Sequence, residues 1–89
     1  MFGLRKLMIK RKPNKLQVTY DREYDILYVS VGDPVPSYSD EEGLKGLYIR
    51  RSMDSDKVTG VTIMDYSKRN KISLTKYSPL KIDFSSLNY

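Results

Sequence analysis

Three features of the chain predict a small, mainly β fold, an antiparallel β-meander of about four to six strands with one short helical turn. Apolar residues recur with a period of two from Leu16 onward, and β-branched and aromatic residues gather in short runs. Gly, Pro, Asp and Ser separate those runs. With 89 residues there is room for one domain. An α+β arrangement stays open as well, because helix signals follow Asp65.

Leu16, Val18 and Tyr20 alternate with Gln17 and Thr19, the mark of a half-buried strand. Residues 21–24 are polar and turn the chain into a second strand over residues 25–31. Tyr20, Tyr24 and Tyr28 lie four apart and would line one helical face, but a helix over residues 20–31 would be apolar on nearly every side. The sharp stop at Gly32-Asp33-Pro34 also favours a strand. Ile26 and Tyr28 face one way and Leu27, Val29 and Val31 the other, so this strand is expected to be central and covered on both sides.

Pro34 and Pro36 exclude a central strand in the next segment, where Ser39 and Glu42 have the capping-box spacing that allows one helical turn before Gly43. Residues 44–51 and 58–64 read as a hairpin around an Asp/Ser-rich turn, with Gly60 marking a bulge or a close backbone approach. Beyond it, Asp65 can cap a short helix that Asn70 stops. Residues 72–77 then alternate like a strand, Pro79 interrupts, and Leu80, Ile82 and Phe84 alternate again, as edge strands or an arm that wraps a neighbour. The chain thus divides into an arm or outer hairpin strand (1–15), a β-meander (16–69) and a C-terminal extension (70–89).

The net charge of +5 is unevenly placed. Residues 1–15 hold Arg5, Lys6, Lys10, Arg11, Lys12 and Lys15 with no acid, whereas the remainder is nearly neutral. Absence of Cys excludes a disulfide framework, a thiolate zinc site and a cysteine nucleophile. Absence of His removes the commonest general base and the commonest transition-metal ligand. Asp21, Glu23 and Asp25 alternate and on a strand would share a face suited to acid/base work or to Mg²⁺ or Ca²⁺, yet they fall in a turn, where Asp bonds its own backbone. Asp54-Ser55-Asp56 lacks the remaining positions of a calcium loop, and Asp40-Glu41-Glu42 reads as a solvated acidic tip. No phosphate-cradling Gly loop or dinucleotide fingerprint is present, so neither an enzyme nor a cofactor or metal is expected. The only N-terminal apolar run, Leu7-Met8-Ile9, fits no signal peptide or membrane span, which makes the cytoplasm the expected location.

Tyr20-Asp21, then Tyr24-Asp25-Ile26-Leu27-Tyr28-Val29, and later Asp54, Asp56, Val58, Gly60, Val61, Ile63, Asp65 and Ser67, resemble the family called domain of unknown function 2283. The resemblance covers about residues 18–69 and departs at Tyr48-Ile49-Arg50-Arg51-Ser52, where relatives carry an acidic stretch. It implies a compact antiparallel meander with a short helical piece, in small prokaryotic or phage proteins without established activity. For some members it also implies an antitoxin-like association with a small toxin protein.

Two functions follow as expectations. The first is a non-enzymatic interaction protein, a homodimer or the partner of another protein, joined through an apolar surface of Ile26, Leu27, Tyr28, Val29, Val31, Leu80, Ile82 and Phe84. The alternative is a nucleic-acid-binding module that uses Arg5, Lys6, Lys10, Arg11, Lys12 and Lys15 with a strand bearing Tyr48, Arg50 and Arg51. Eight tyrosines without a tryptophan suit either, since Tyr packs across strands and also stacks on bases.

Overall fold

All the strands expected from residues 16–64 form in the computed structural model, which describes residues 15–87 and 89. They are β1 (Leu16–Asp21), β2 (Ile26–Val31), β4 (Leu47–Ser52) and β5 (Val58–Ile63), with one more, β3 (Ser37–Glu41), between β2 and β4. The five make one sheet in the order β1-β2-β5-β4-β3, and every neighbouring pair is antiparallel. Hairpins join β1 to β2, β3 to β4 and β4 to β5. The meander is interrupted once, where residues 32–36 cross to the far edge and leave β5 to pair with β2.

Side-chain alternation divides the sheet into two unlike faces. Leu27 and Val29 of β2, Leu47 and Ile49 of β4, and Val61 and Ile63 of β5 point the same way and are buried. Against them lies a layer built from the C-terminal segment: a 3-10 turn at Tyr66–Lys68, the helix α1 (Lys71–Tyr77) and a second 3-10 turn at Phe84–Ser86. Tyr66, Leu74 and Phe84 seal the core, while Leu16, Val18, Tyr20, Leu80, Ile82 and Leu87 pack at its rim. No helix among the described residues is long and apolar enough to cross a membrane.

Three local expectations are corrected. Residues 37–41 are an edge strand rather than a helical turn: they pair with β4 from Ser37 opposite Ser52 to Glu41 opposite Tyr48, and the Glu42 carboxylate accepts Arg51 Nη1 at 2.6 Å instead of reaching back to a cap. Residues 71–77 are helical rather than extended. Asn70, expected to stop a helix, starts one: its side-chain oxygen accepts the Ser73 N–H at 3.0 Å. The helical turn sets Leu74 into the core and leaves Ile72 76% exposed. The third correction concerns β2, which is paired along both edges but, among the described residues, covered on one face only; Tyr28 on its other face is 38% exposed, and β5 is the middle strand.

Gly60 meets both expectations placed on it. The β4–β5 register slips between Arg50 and Arg51, and a Cβ on Gly60 would collide with the Val29 carbonyl oxygen and the Arg50 guanidinium.

Phe84 is fully buried at the far end of the covering layer, so Phe84→Ala is expected to lower the unfolding free energy by about 3–5 kcal/mol, read from the shift of the urea midpoint.

Candidate interaction face

The face that the C-terminal layer leaves open carries two ladders of aligned side chains. One runs Thr19, Tyr28, Thr62, Tyr48 and Glu41 across all five strands. Beside it, Gln17, Ser30, Gly60, Arg50 and Ser39 form the second. Thr19 and Tyr28 are exposed, and Thr62 and Tyr48 half-buried. Tyr28 and Tyr48 stand two strand spacings apart, roughly 10 Å, with Thr62 between them. Four consecutive positions of the first ladder are therefore uncharged.

Arg50 does not stand up from this face. Its guanidinium lies over Gly60, and Nη2 donates to the Val29 carbonyl at 3.0 Å and to Ser30 Oγ at 2.9 Å. Nε is buried and has no acceptor among the described residues. At one end of the face the Ser37 hydroxyl of β3 and the Thr59 hydroxyl of β5 share a 2.9 Å hydrogen bond.

Of the residues proposed for nucleic acid, Tyr48 and Arg50 share this face, whereas Arg51 points to the opposite side and donates from Nη1 to Glu42 Oε2 at 2.6 Å. Lys15 is exposed at the start of β1. Arg5, Lys6, Lys10, Arg11 and Lys12 lie outside the described residues.

The apolar surface expected to dock a partner is corrected more sharply. Leu27, Val29 and Phe84 are fully buried within the chain, and Val31, Leu80 and Ile82 are half-buried on the same covered side. The C-terminal segment, expected as edge strands or an arm that wraps a neighbour, folds back on its own sheet as a helix and 3-10 turns, with Leu74, Leu80, Ile82 and Phe84 in or against the core. Only Ile26 and Tyr28 of that set belong to the open face. Thr19 and Thr62, which complete the ladder, were not singled out from the sequence; the signal that aligns them is cross-strand register, which a single chain's periodicity does not contain.

The carboxylates hold the backbone. Asp21 Oδ1 accepts the Tyr24 N–H at 3.1 Å. Asp25, at φ 56, is a clamp: its carboxylate accepts the Tyr20 hydroxyl at 2.6 Å, the Ser67 N–H at 2.9 Å and the Ser67 hydroxyl at 2.7 Å. The Asp25 carbonyl also accepts the Tyr66 N–H at 2.9 Å. Hydrogen bonds from Tyr20 and then Ser67 hold the Asp25 carboxyl below the ordinary carboxylate range, and the same bond raises the Tyr20 phenol. Asp56 accepts the Tyr38 hydroxyl at 2.8 Å within the β4–β5 turn. Among the described residues no three acidic side chains converge in a way that would hold a metal ion.

Comparison with family models, curated proteins and solved structures finds no match to this chain.

Two outcomes follow from this geometry. A carboxylate held below its unfolded value stabilises the fold above that value and loses the contribution as pH falls through the lowered one. Asp25→Asn is therefore expected to be less stable than the parent chain near neutrality, with the gap closing in denaturation curves taken below the ordinary 3.8. Gly60→Ala must push the Val29 backbone or the Arg50 head aside, and a loss of about 1–3 kcal/mol in the same assay is expected.

Proposed function

We propose that the protein is a non-enzymatic interaction module, that its working surface is the open sheet face, and that this face binds another protein. The uncharged ladder of Thr19, Tyr28, Thr62 and Tyr48 carries the reading. Interface centres are depleted in charge and enriched in tyrosine, whose ring buries area while its hydroxyl keeps a polar contact. The nearest cation on the face, Arg50, is committed to Val29 and Ser30. An antitoxin-like partner, implied by the resemblance to domain of unknown function 2283, belongs to the same reading.

A specific observation supports a second reading, single-stranded nucleic acid. Tyr28 and Tyr48 stand on one sheet face, as base-stacking side chains do, and the basic arm enters the sheet at Lys15.

One experiment separates the two. The tagged chain and its Tyr28→Ala/Tyr48→Ala variant are used to recover partners from an extract of the source cells, with and without nuclease. A stoichiometric protein that survives nuclease, and whose affinity drops at least about tenfold in the variant, is expected. Partners lost on nuclease treatment, with affinity falling steeply as salt rises, would replace this reading by the second. A protein bound equally by both forms would place the working surface elsewhere.

A further inference from the structure

The two edges of the sheet are unlike. Edge strand β3 follows Pro34 and Pro36 and carries Asp40 and Glu41, devices that discourage pairing with another chain. Edge strand β1 runs Leu16-Gln17-Val18-Thr19-Tyr20 without a charge or a proline before reaching Asp21. The backbone groups of β1 that pair with no described strand can be assigned. Gly32 N–H donates to the Lys15 carbonyl at 2.8 Å, so residues 15, 17, 19 and 21 are the ones that exchange bonds with β2. Leu16, Val18 and Tyr20 therefore aim their N–H and C=O groups away from the sheet, and no described strand pairs with them.

We infer that β1 is the dimerisation edge, and that a second copy of this chain adds its own β1 antiparallel to it about a two-fold axis at Val18. Side-chain alternation and charge select the register. A slip of one residue would set core-facing side chains against open-face ones. With Val18 opposite Val18 of the second copy, Leu16 meets Tyr20, Gln17 meets Thr19, and Lys15 meets Asp21. All three residues with outward-pointing backbone then fall in hydrogen-bonded pairs, and each end of the strand gains an opposite-charge pair. Centring the axis on Thr19 instead would put Leu16 against Arg22, and centring it on Gln17 would carry Tyr20 and Asp21 past the end of the second strand. The result is one continuous sheet with both covering layers on the same side. There Leu16, Val18 and Tyr20, half-buried in one chain, are covered further by their counterparts. This contact goes beyond the open-face reading and uses a different surface.

The test is the mass of the full chain by light scattering across the micromolar range. Twice 10.4 kDa is expected. Val18→Pro replaces an N–H that bonds nothing within the sheet, a site where an edge strand tolerates proline. It removes both bonds at the axis, so dissociation is expected at concentrations at least about tenfold higher. Should that variant fail to fold, charge decides: Lys15→Glu is expected to weaken the dimer and Lys15→Glu/Asp21→Lys to restore it. The Tyr28→Ala/Tyr48→Ala variant is expected to keep the dimer mass, which separates failure of this contact from failure of the open face. A single-chain mass throughout overturns the inference, as does a dimer indifferent to both Val18→Pro and Lys15→Glu.

Discussion

Burial of Tyr66, Leu74 and Phe84 against the sheet is the contact on which the rest of the structure depends. A single five-stranded sheet has two faces, and the apolar residues of β2, β4 and β5 need a second layer to leave water. Each such side chain contributes about 1.5–3 kcal/mol when fully buried, and here the covering atoms come from a segment with little regular structure. That segment is held by polar contacts at its start. Asp25 receives Ser67 and Tyr66, and Lys71 Nζ lies 4.0 Å above the Tyr66 ring while donating to the Tyr66 carbonyl at 2.8 Å. The β1–β2 turn and the covering layer are thereby locked to one another, which decides which face is closed and which is left for solvent.

The second constraint is the central position of β5. It joins two hairpin units that no other strand pairing links. Arg50 reinforces the join by reaching from β4 across Gly60 to β2, so one side chain ties three strands together. Two donors of one nitrogen are used in this staple, and both bonds to Nη2 are charge-assisted. The missing Cβ of Gly60 is what makes the path available. With the Arg50 side chain laid over Gly60, the neighbouring Thr19–Tyr28–Thr62–Tyr48 ladder stays free of a projecting cation from Arg50.

Much of the fold was legible because the chain's local signals agree with the final pairing. Leu16, Val18 and Tyr20 alternate, Pro34 and Pro36 force an edge, and Gly60 announces the bulge. The C-terminal segment was not legible for a physical reason. Ile72, Leu74, Leu80, Ile82 and Phe84 satisfy a period of two, and only the tertiary demand to bury Leu74 and Phe84 while shedding Ile72 selects a helix and a 3-10 turn. Asn70 serves equally as a stop or a start, and the direction of its side-chain bond is settled by what lies after it. The open face was half visible: Tyr28, Tyr48 and Arg50 stood out as residues, but their alignment through Thr62 arises from register between strands far apart in sequence. Leu27, Val29 and Phe84 look like docking residues from the sequence for the same reason: the segment that buries them carries no periodicity that marks it as their cover.

The two edges show how a sheet this small divides its risks. An exposed strand edge recruits other strands without discrimination unless something opposes wrong pairings. On β3 that opposition is general, since Asp40 and Glu41 repel an acidic neighbour whatever its direction. On β1 it is directional. Lys15 and Asp21 bracket five uncharged residues with opposite signs, so a parallel copy would set Lys15 against Lys15 and Asp21 against Asp21, whereas an antiparallel copy sets each against the other. The flanking charges thus penalise one orientation and favour the other, and the hydrogen-bonding groups between them pair with no described strand. An edge built only to repel would have no use for that arrangement.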